Sequence, residues 1–360
     1  MNFSLPERSQ LRILVTRTDR LGDLVLSTPI FEALRCKFPQ ALITALVFQE
    51  NREVVEGNPH LSEVILYDKK GREKGIWGQI KLVHQLQKRR YDLVIHLHAT
   101  NRMHLLTWAA GIPRRIGWKR KCAWALTHAF EDVKKEGTKH EAYYNFDLLE
   151  PLGIFPEVAK VRAFFPCSEK NRRSVEELIS RMGISEKKPW VVFNPSASCP
   201  SKIWPAERFG EVADYLADNY SAECFVIGTR ADRAYVQRVK AAARCAVHDL
   251  SGRLSIGMLG VLLSRSRLLI SNDSGPVHLA NAVGTPVISI FGRKQAGLSP
   301  LRWGPLDPGS RVVWKDAGCE TCAAHLCPIH FLCLDIIRVE DVLQHLPVFE
   351  ERFAVKDSSQ

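Results

Sequence analysis

The sequence predicts an α/β protein with two halves, each a parallel sheet flanked by helices. Short apolar runs alternate with amphipathic segments, the alternation starts again near Trp190, and no fixed repeat period is present. The clearest unit is LLISNDSGPVHLANAVGTPVISIFG, at residues 268–292. This unit is predicted to be a strand, a helix and a second strand. The first apolar run ends in a polar turn, Pro276 suits a first helical turn, and Gly284 suits the helix end before the second apolar run.

The same reasoning assigns the other elements. Strands are predicted at residues 11–16, 41–47, 63–67, 91–98, 190–194, 222–228 and 246–250. Helices are predicted at residues 76–87, 141–152, 169–182 and 256–265, with others ending near Asp218 and starting at Asp232. A helix after Gly22 should kink at Pro29 or begin again after Thr28. We therefore expect Rossmann-like domains at residues 1–165 and 166–348, followed by a tail at 349–360.

Composition limits the class of protein and of partner. The 360 residues are 46% hydrophobic and 25% charged, and 50 Lys and Arg against 39 Asp and Glu give a net charge of +11. Such a basic chain suits an acidic partner, which includes nucleic acid, anionic lipid and phosphorylated glycolipid. No apolar run approaches the roughly 20 residues of a membrane span, and the N-terminus has no signal-peptide pattern, so we expect a cytoplasmic protein.

Polar residues follow two of the predicted strands. In the turn at residues 272–275, Ser274 and Gly275 can offer amides and a hydroxyl to a phosphate, while Asp273 is better suited to sugar hydroxyls. The alternative is a well-capped turn. Asp23 lies at a strand-to-helix junction, where ligands of such sheets usually bind, although without further evidence a helix-start carboxylate stabilised by the helix dipole is the better explanation.

Basic residues and tryptophans are interleaved in PRRIGWKRKCAWALTHA, at residues 113–129. This pattern suits a phosphorylated, partly apolar ligand or a membrane face, and the alternative is a solvated loop. No helix-turn-helix, RNA-binding or zinc-finger spacing accompanies the charge, so nucleic acid is not expected. His96 and His98 share a strand face, but we expect them to be packed or hydrogen-bonded and not metal ligands.

Two nucleotide-binding fingerprints are absent. Neither G-x-G-x-x-G nor G-x-x-x-x-G-K occurs in the chain. Their absence disfavours a nicotinamide oxidoreductase and an ATP hydrolase.

Three stretches together carry a family resemblance. RTDRLGDLVLSTP at residues 17–29, the segment at 194–204 and NDSGPVH at 272–278 resemble the glycosyltransferase family 9 heptosyltransferases of lipopolysaccharide core assembly, over residues 11–346. The resemblance implies a GT-B fold, with two Rossmann-like domains facing across a cleft. It also implies that the first domain binds the acceptor and the second binds ADP-heptose.

The resemblance implies roles for individual residues. Asp23 would be the general base on the acceptor hydroxyl, Lys202 would neutralise the diphosphate leaving group, and Asp273 would hold heptose hydroxyls. Further donor contacts would be Ser196, Ser274, Gly275 and His278 near the diphosphate and Asp232 at the ribose. Acceptor-side contacts would be Arg17, Asn101 and Arg102, to which the basic segment adds Arg114, Arg115, Lys119 and Arg120. No Asp-x-Asp motif occurs, which fits metal-independent transfer with inversion.

Four cysteines are spaced closely near the C-terminus. Cys319, Cys322, Cys327 and Cys333 form a C-x2-C-x4-C-x5-C array that can close a tetrahedral zinc or iron site. Some protein-modifying relatives are expected to hold iron in such a segment. The alternative is reduced cysteines packed in a loop.

The leading interpretation is thus an inverting heptosyltransferase at the inner face of the inner membrane. Its expected partners are ADP-heptose, a phosphorylated glycolipid acceptor and an anionic membrane surface, and no cofactor is expected for transfer. Two alternatives remain: the same fold acting on protein or another surface glycan, and a non-catalytic glycolipid-binding scaffold.

Overall fold

Two six-stranded parallel sheets form the framework, one in each of two units, Met1–Pro166 and Cys167–Gln360. The structure, a computed structural model, describes Pro6 and residues 10–120, 122–157 and 161–353. Within these residues no helix is both long enough and apolar enough to cross a bilayer.

The first unit has strand order β3-β2-β1-β4-β5-β6. Its strands are β1 (Arg12–Arg17), β2 (Leu42–Phe48), β3 (Glu63–Tyr67), β4 (Leu93–His96), β5 (Arg114–Trp118) and β6 (His128–Phe130). Its helices are α1 (Leu21–Val25), α2 (Thr28–Lys37), α3 (Arg52–Val55), α4 (Ile76–Arg89), α5 (Asn101–Ala109) and α6 (Glu141–Asp147).

The second unit has the equivalent order, β12-β11-β10-β7-β8-β9. Its strands are β7 (Trp190–Asn194), β8 (Glu223–Val226), β9 (Val247–Asp249), β10 (Leu268–Asn272), β11 (Val287–Phe291) and β12 (Arg311–Trp314). Helices α7 (Glu169–Arg181), α8 (Ala206–Tyr220), α9 (Arg233–Ala242), α10 (Ile256–Arg265) and α11 (Gly275–Ala282) precede four short ones. These are α12 (Pro300–Trp303), α13 (Leu332–Asp335), α14 (Val339–Leu343) and α15 (Glu350–Phe353).

The burial of the central strands accounts for their continuous apolar sequence. Every residue of β7, β10 and β11 is buried, as expected when helices cover both faces of a sheet. In each unit the strand order reverses at its centre, between β1 and β4 in the first and between β7 and β10 in the second. The carboxyl ends of these strand pairs are the places where such folds bind ligands.

Several local predictions are confirmed. The helix after Gly22 ends at Val25 and a new one starts at Thr28, with Pro29 in its first turn. The helix after β10 begins at Gly275, and Gly284 just beyond it has a positive φ of 82°.

Two predictions need correction. The basic segment at residues 113–129 is not a solvated loop, because β5 and β6 pair within it and extend the sheet. The expected tail at residues 349–360 begins too early, because Phe349 and Phe353 are buried in the core of the second unit. Residues 354–360 lie outside the described residues.

Candidate functional site

At the switch point of the first unit, Arg17 ends β1 and its guanidinium is buried, with its side chain 2% exposed. All five of its N–H donors have acceptors. Nε donates to Asp19 Oδ1 at 3.0 Å, Nη1 to the Leu97 carbonyl at 3.1 Å and Asn145 Oδ1 at 3.0 Å, and Nη2 to Asp23 Oδ1 at 2.8 Å and Glu141 Oε1 at 3.3 Å. This saturation corrects the expectation that Arg17 contacts the acceptor, since no donor is left for a ligand. Arg17 instead holds Asp23 in place.

The carboxylates around Arg17 outnumber the cations. Asp19, Asp23 and Glu141 face Arg17, and Lys134 Nζ adds a second cation 2.7 Å from Glu141 Oε1. Burial and the negative charges of Asp23 and Glu141 raise the pKa of Asp19 to about 7, even though the positive charge of Arg17 acts to lower it. The cluster therefore favours taking up one proton near neutral pH.

Asp23 is the most accessible carboxylate in this cluster. Its side chain is 18% exposed, against 14% for Asp19 and 2% for Glu141. It lies in the first turn of α1, where the helix dipole favours a carboxylate. A ligand at this switch point would therefore meet Asp23 before the other two.

His96, which ends β4, and His98, two residues beyond it, are hydrogen-bonded, as expected. His96 is buried, with Nδ1 2.8 Å from Thr16 Oγ1 and Nε2 3.1 Å from Thr107 Oγ1, and burial lowers its pKa well below the ordinary value. His98 Nδ1 lies 2.9 Å from the Thr18 carbonyl oxygen.

The other acceptor-side residues differ in their exposure and in their hydrogen bonds to neighbouring groups. Asn101 is exposed at the start of α5, and Arg102 Nη1 donates to Tyr67 Oη at 2.9 Å. Arg115 donates to the backbone carbonyls of Ile112 and Ala125, which gives it a structural role beside β5.

The remaining basic residues of this group also belong to β5 or follow it. Arg114 is half-buried on β5. Just after the strand, Lys119 Nζ lies 2.5 Å from Glu131 Oε1 and Arg120 Nε lies 2.7 Å from Asp132 Oδ2. These two ion pairs join the residues that follow β5 to the residues that follow β6.

At the switch point of the second unit the charge arrangement is reversed. Asp273, directly after β10, is 4% exposed, and its Oδ2 is 2.8 Å from Lys202 Nζ and 2.9 Å from Arg293 Nη2. Lys202 ends a 3-10 helix at Pro200–Lys202, and Arg293 follows β11. The three side chains carry a net charge of +1, which suits an anionic ligand.

Two asparagines at strand ends hold the loops of this site together. Asn194 Nδ2 donates to Ser274 Oγ at 2.7 Å, to Ser271 Oγ at 3.1 Å and to the Ser196 carbonyl at 3.2 Å. Asn272 Nδ2 donates to the Pro195 carbonyl at 2.8 Å, and its Oδ1 accepts from the Trp204 N–H at 3.1 Å. The loop after β7 and the turn after β10 are thereby fixed side by side.

The remaining expected donor residues lie in or near this arrangement. Ser196 is buried beside Asn194, Gly275 begins α11 and His278 is buried in that helix. Asp232 is more distant in the chain, and its Oδ2 accepts from the Thr229 N–H at 2.7 Å and from the Thr229 hydroxyl at 2.6 Å. Local capping thus accounts for the position of Asp232.

Sequence reasoning gave no role to seven residues of these two sites. They are Asp19, Lys134, Glu141, Asn145, Asn194, Asn272 and Arg293. Asp19, Asn194, Asn272 and Arg293 end a predicted strand or lie within about three residues of its end, so position at the carboxyl end of a strand was the available signal. The other three gave no such signal, because Glu141 and Asn145 come from α6 and Lys134 from a 3-10 helix before it.

The cysteine array borders a separate space in the second unit. Cys319, Cys322, Cys327 and Cys333 line one cavity of about 500 Å³. Burial and the neighbouring thiols raise the pKa of Cys333 to about 11. Among the described residues, however, no three His, Cys, Asp or Glu side chains are arranged to hold a metal ion.

Comparison of the fold with solved structures defines the class of protein. The glycosyl transferase family 9 structure from Veillonella parvula is similar over 97% of this chain and all of that one, with a TM-score of 0.86 and 28% identity. The Escherichia coli ADP-heptose lipopolysaccharide heptosyltransferase II is similar over 96% and 100%, with a TM-score of 0.78 and 23% identity. The chain has the GT-B fold of glycosyltransferases.

Comparison of the sequence gives the family. The family model described as glycosyltransferase family 9 (heptosyltransferase) matches residues 79–332, more than half of the chain. Lipopolysaccharide heptosyltransferase 3 of Escherichia coli K12 is 28% identical over 89% of this chain and 93% of its own length. The chain belongs to glycosyltransferase family 9.

Proposed function

We propose that this enzyme transfers heptose from ADP-heptose to a phosphorylated glycolipid acceptor of the lipopolysaccharide core. Family membership and the similarity to the two Escherichia coli heptosyltransferases support this choice of donor and acceptor. The reaction would take place in the cytoplasm at the inner face of the inner membrane. The observation that carries the proposal is the pair of oppositely charged clusters at the two switch points.

Asp23 acts as the general base in this proposal. A sugar hydroxyl is a weak nucleophile at neutral pH, and a positioned carboxylate that accepts its proton accelerates attack by roughly 10²- to 10⁴-fold. Arg17 fixes Asp23 through one oxygen, Oδ1, while the side chain stays partly exposed. Asp23 can therefore be oriented by Arg17 and still meet an acceptor.

The second unit stabilises the leaving group. As the acceptor oxygen bonds to the anomeric carbon, the bond from that carbon to the phosphate oxygen breaks and ADP leaves with added negative charge. Lys202, Arg293 and the amides that begin α11 can stabilise this charge without a metal ion. In-line attack inverts the anomeric centre.

The remaining assignments complete the proposal. Asp273 orients heptose hydroxyls, Ser196, Ser274, Gly275 and His278 lie near the diphosphate, and Asp232 lies at the ribose. Asn101, Arg102, Arg114, Lys119 and Arg120 contact the acceptor through the first unit.

The test separates donor binding from transfer in Asp23→Asn. We expect ADP-heptose affinity, measured by calorimetry, to stay within about threefold of the wild type, and turnover of a truncated core glycolipid to fall by roughly 10²- to 10⁴-fold. Asp147→Asn is the matched control, because Asp147 is a carboxylate of the same unit that is paired with Lys139, and neither residue belongs to the proposed site. Near-normal turnover in Asp23→Asn would remove the assigned base. Wild-type transfer from another nucleotide sugar but not from ADP-heptose would instead refute the donor.

A structural zinc or iron at the cysteine array stays a separate prediction, since the described residues give no ready ligand set. Elemental analysis of protein purified without a histidine tag checks it. About one metal ion per chain, lost when Cys319 and Cys322 are replaced by serine, would support the site. Substoichiometric zinc and iron would end it, and metal-independent transfer predicts that a chelator leaves the wild-type rate unchanged.

A further inference from the structure

One segment of the first unit carries nearly all the net charge of the protein. Residues 74–130 contain eleven Lys and Arg against a single acidic residue, Asp92, which gives +10 of the +11 of the whole chain. Asp92 does not offset this charge at the surface, because it is 3% exposed and its carboxylate accepts from the backbone N–H of Arg12 at 2.9 Å. Acids outside the segment, Glu63, Glu131 and Asp132, pair with Arg89, Lys119 and Arg120, so its positive surface charge rests on exposed residues such as Lys74, Lys81 and Lys88.

The same segment exposes large apolar side chains. On α4, Ile76, Trp77 and Ile80 are 64%, 75% and 38% exposed, while Leu82 and Leu86 on the opposite face are buried. The exposed lysines Lys81 and Lys88 lie on the outer side of the same helix. An apolar helix face bordered by lysines is typical of a helix that lies in a membrane interface.

A second exposed patch adjoins α4. On α5, Leu105 and Trp108 are 37% and 50% exposed, and the Trp108 ring packs edge-to-face on Trp124 with ring centroids 5.3 Å apart. The two helices pack side by side, and Gln87 Nε2 donates to the Ala109 carbonyl at 3.2 Å. We call the outer faces of α4 and α5 together with Trp124 the basic aromatic surface.

We propose that the basic aromatic surface docks on an anionic lipid bilayer. Tryptophan side chains are amphipathic and favour the headgroup level, and lysines near the surface of an anionic leaflet each add about 1 kcal/mol of attraction. A protein partner would need acidic groups placed to match, whereas a lipid surface needs only net negative charge and an apolar interior. The near absence of acidic residues over 57 positions therefore favours the bilayer.

The proposed function places the reaction at the inner face of the inner membrane, and this inference names the residues that would contact that membrane. It rests on the proposed function for the location of the acceptor. Its test uses neither heptose donor nor glycolipid acceptor. Failure of vesicle binding would leave transfer untouched, and failure of transfer would leave vesicle binding untouched.

The experiment is flotation of the full chain with vesicles of phosphatidylcholine alone or with about one-third phosphatidylglycerol. We expect binding to the anionic vesicles, a blue shift of tryptophan fluorescence, and release by high salt. Trp77→Ala with Trp108→Ala should weaken partitioning by at least about tenfold through loss of buried apolar area. Lys81→Gln with Lys88→Gln should weaken it by roughly 10- to 30-fold.

Matched controls come from the second unit. Trp314→Ala removes a tryptophan that is 39% exposed, and Lys187→Gln with Lys240→Gln removes two exposed lysines. Both controls should bind like the wild type. Equal losses in test and control variants would overturn the proposal, as would absence of binding at low salt.

Two other results would reassign the surface. A concentration-dependent dimer that Trp77→Ala and Trp108→Ala dissolve would make it an interface between copies of this chain. Binding to duplex DNA as tight as to anionic vesicles, and insensitive to the tryptophan changes, would make it a general anion-binding surface.

Discussion

The two switch points have the same strand order but opposite charge. In the first unit two buried cations, Arg17 at the centre and Lys134 beside Glu141, face the three carboxylates of Asp19, Asp23 and Glu141. In the second unit one buried carboxylate, Asp273, lies between the cations of Lys202 and Arg293. The shared topology fixes where a site can form, and the side chains that follow each strand decide whether the site attracts a proton or an anion.

This difference matches the two demands of a displacement reaction. One partner must lose a proton, which a surplus of carboxylates favours, and the other must leave as an anion, which a surplus of cations favours. Each surplus also has a structural cost, because charges removed from water are stable only while their counterions remain. The two clusters can therefore be tested by removing the counterion from each.

Arg17→Met should have the largest effect. It leaves three clustered carboxylates without their central cation, and breaking a buried ion pair from one side costs about 3–5 kcal/mol. We expect a large fall in the free energy of unfolding, measured by denaturant titration.

Arg238→Met is the matched control for that change. Arg238 pairs with Glu207 at 2.6 Å, but the two side chains are 52% and 45% exposed, so the expected loss is at most about 1 kcal/mol. Equal losses in the two variants would show that the Arg17 cluster is no more than a surface network. Arg17→Lys keeps the charge without the five-donor fork, and we expect it to fold yet lose turnover because Asp23 is no longer oriented.

Lys202→Ala and Arg293→Ala should each weaken ADP-heptose binding by roughly 10- to 100-fold, since each removes one of two cations from the site. Calorimetry with ADP and with ADP-heptose measures both affinities. Arg293 is the sharper test, because the sequence alone did not indicate it.

Asp273→Asn separates the two roles within this cluster. Neutralising Asp273 leaves both cations in place, so ADP should bind at least as tightly as before. ADP-heptose should lose its advantage over ADP if Asp273 orients the heptose. Unchanged discrimination between the two ligands would remove Asp273 from sugar recognition.

The fold could be predicted from the sequence wherever burial dictates composition. The fully buried strands β7, β10 and β11 read as continuous apolar runs, and the helix break at Pro29 follows from its missing N–H. Edge strand β6 carries no such pattern, because none of its three residues is buried. A strand that lies at a sheet edge leaves little trace in the apolar pattern.

The sites were predictable to a lesser degree. Asp23, Lys202 and Asp273 stood in motifs, and the structure brings Lys202 and Asp273 within 2.8 Å. The pairing of Arg17 with Asp23 could not be predicted, because whether an arginine faces a ligand or a buried carboxylate depends on residues far away in sequence. Glu141 approaches Arg17 from 124 positions along the chain.

Asp19→Asn should have the smallest effect, and the size of that effect depends on pH. Burial first, and then the charges of Asp23 and Glu141, raise the pKa of Asp19 to about 7 in the folded protein, whereas an unfolded aspartate titrates near 3.9. Between these values the folded chain binds more protons than the unfolded chain, so the stability that protonated Asp19 contributes is complete below about pH 4 and is lost as the pH rises through about 7.

Asparagine imitates the protonated form, so the fall in Tm from about pH 5 to about pH 8.5 should be smaller in Asp19→Asn by on the order of a few degrees. Identical Tm profiles for variant and wild type would mean that Asp19 stays ionised beside Arg17, and the first cluster would then hold one more negative charge at neutral pH than we infer.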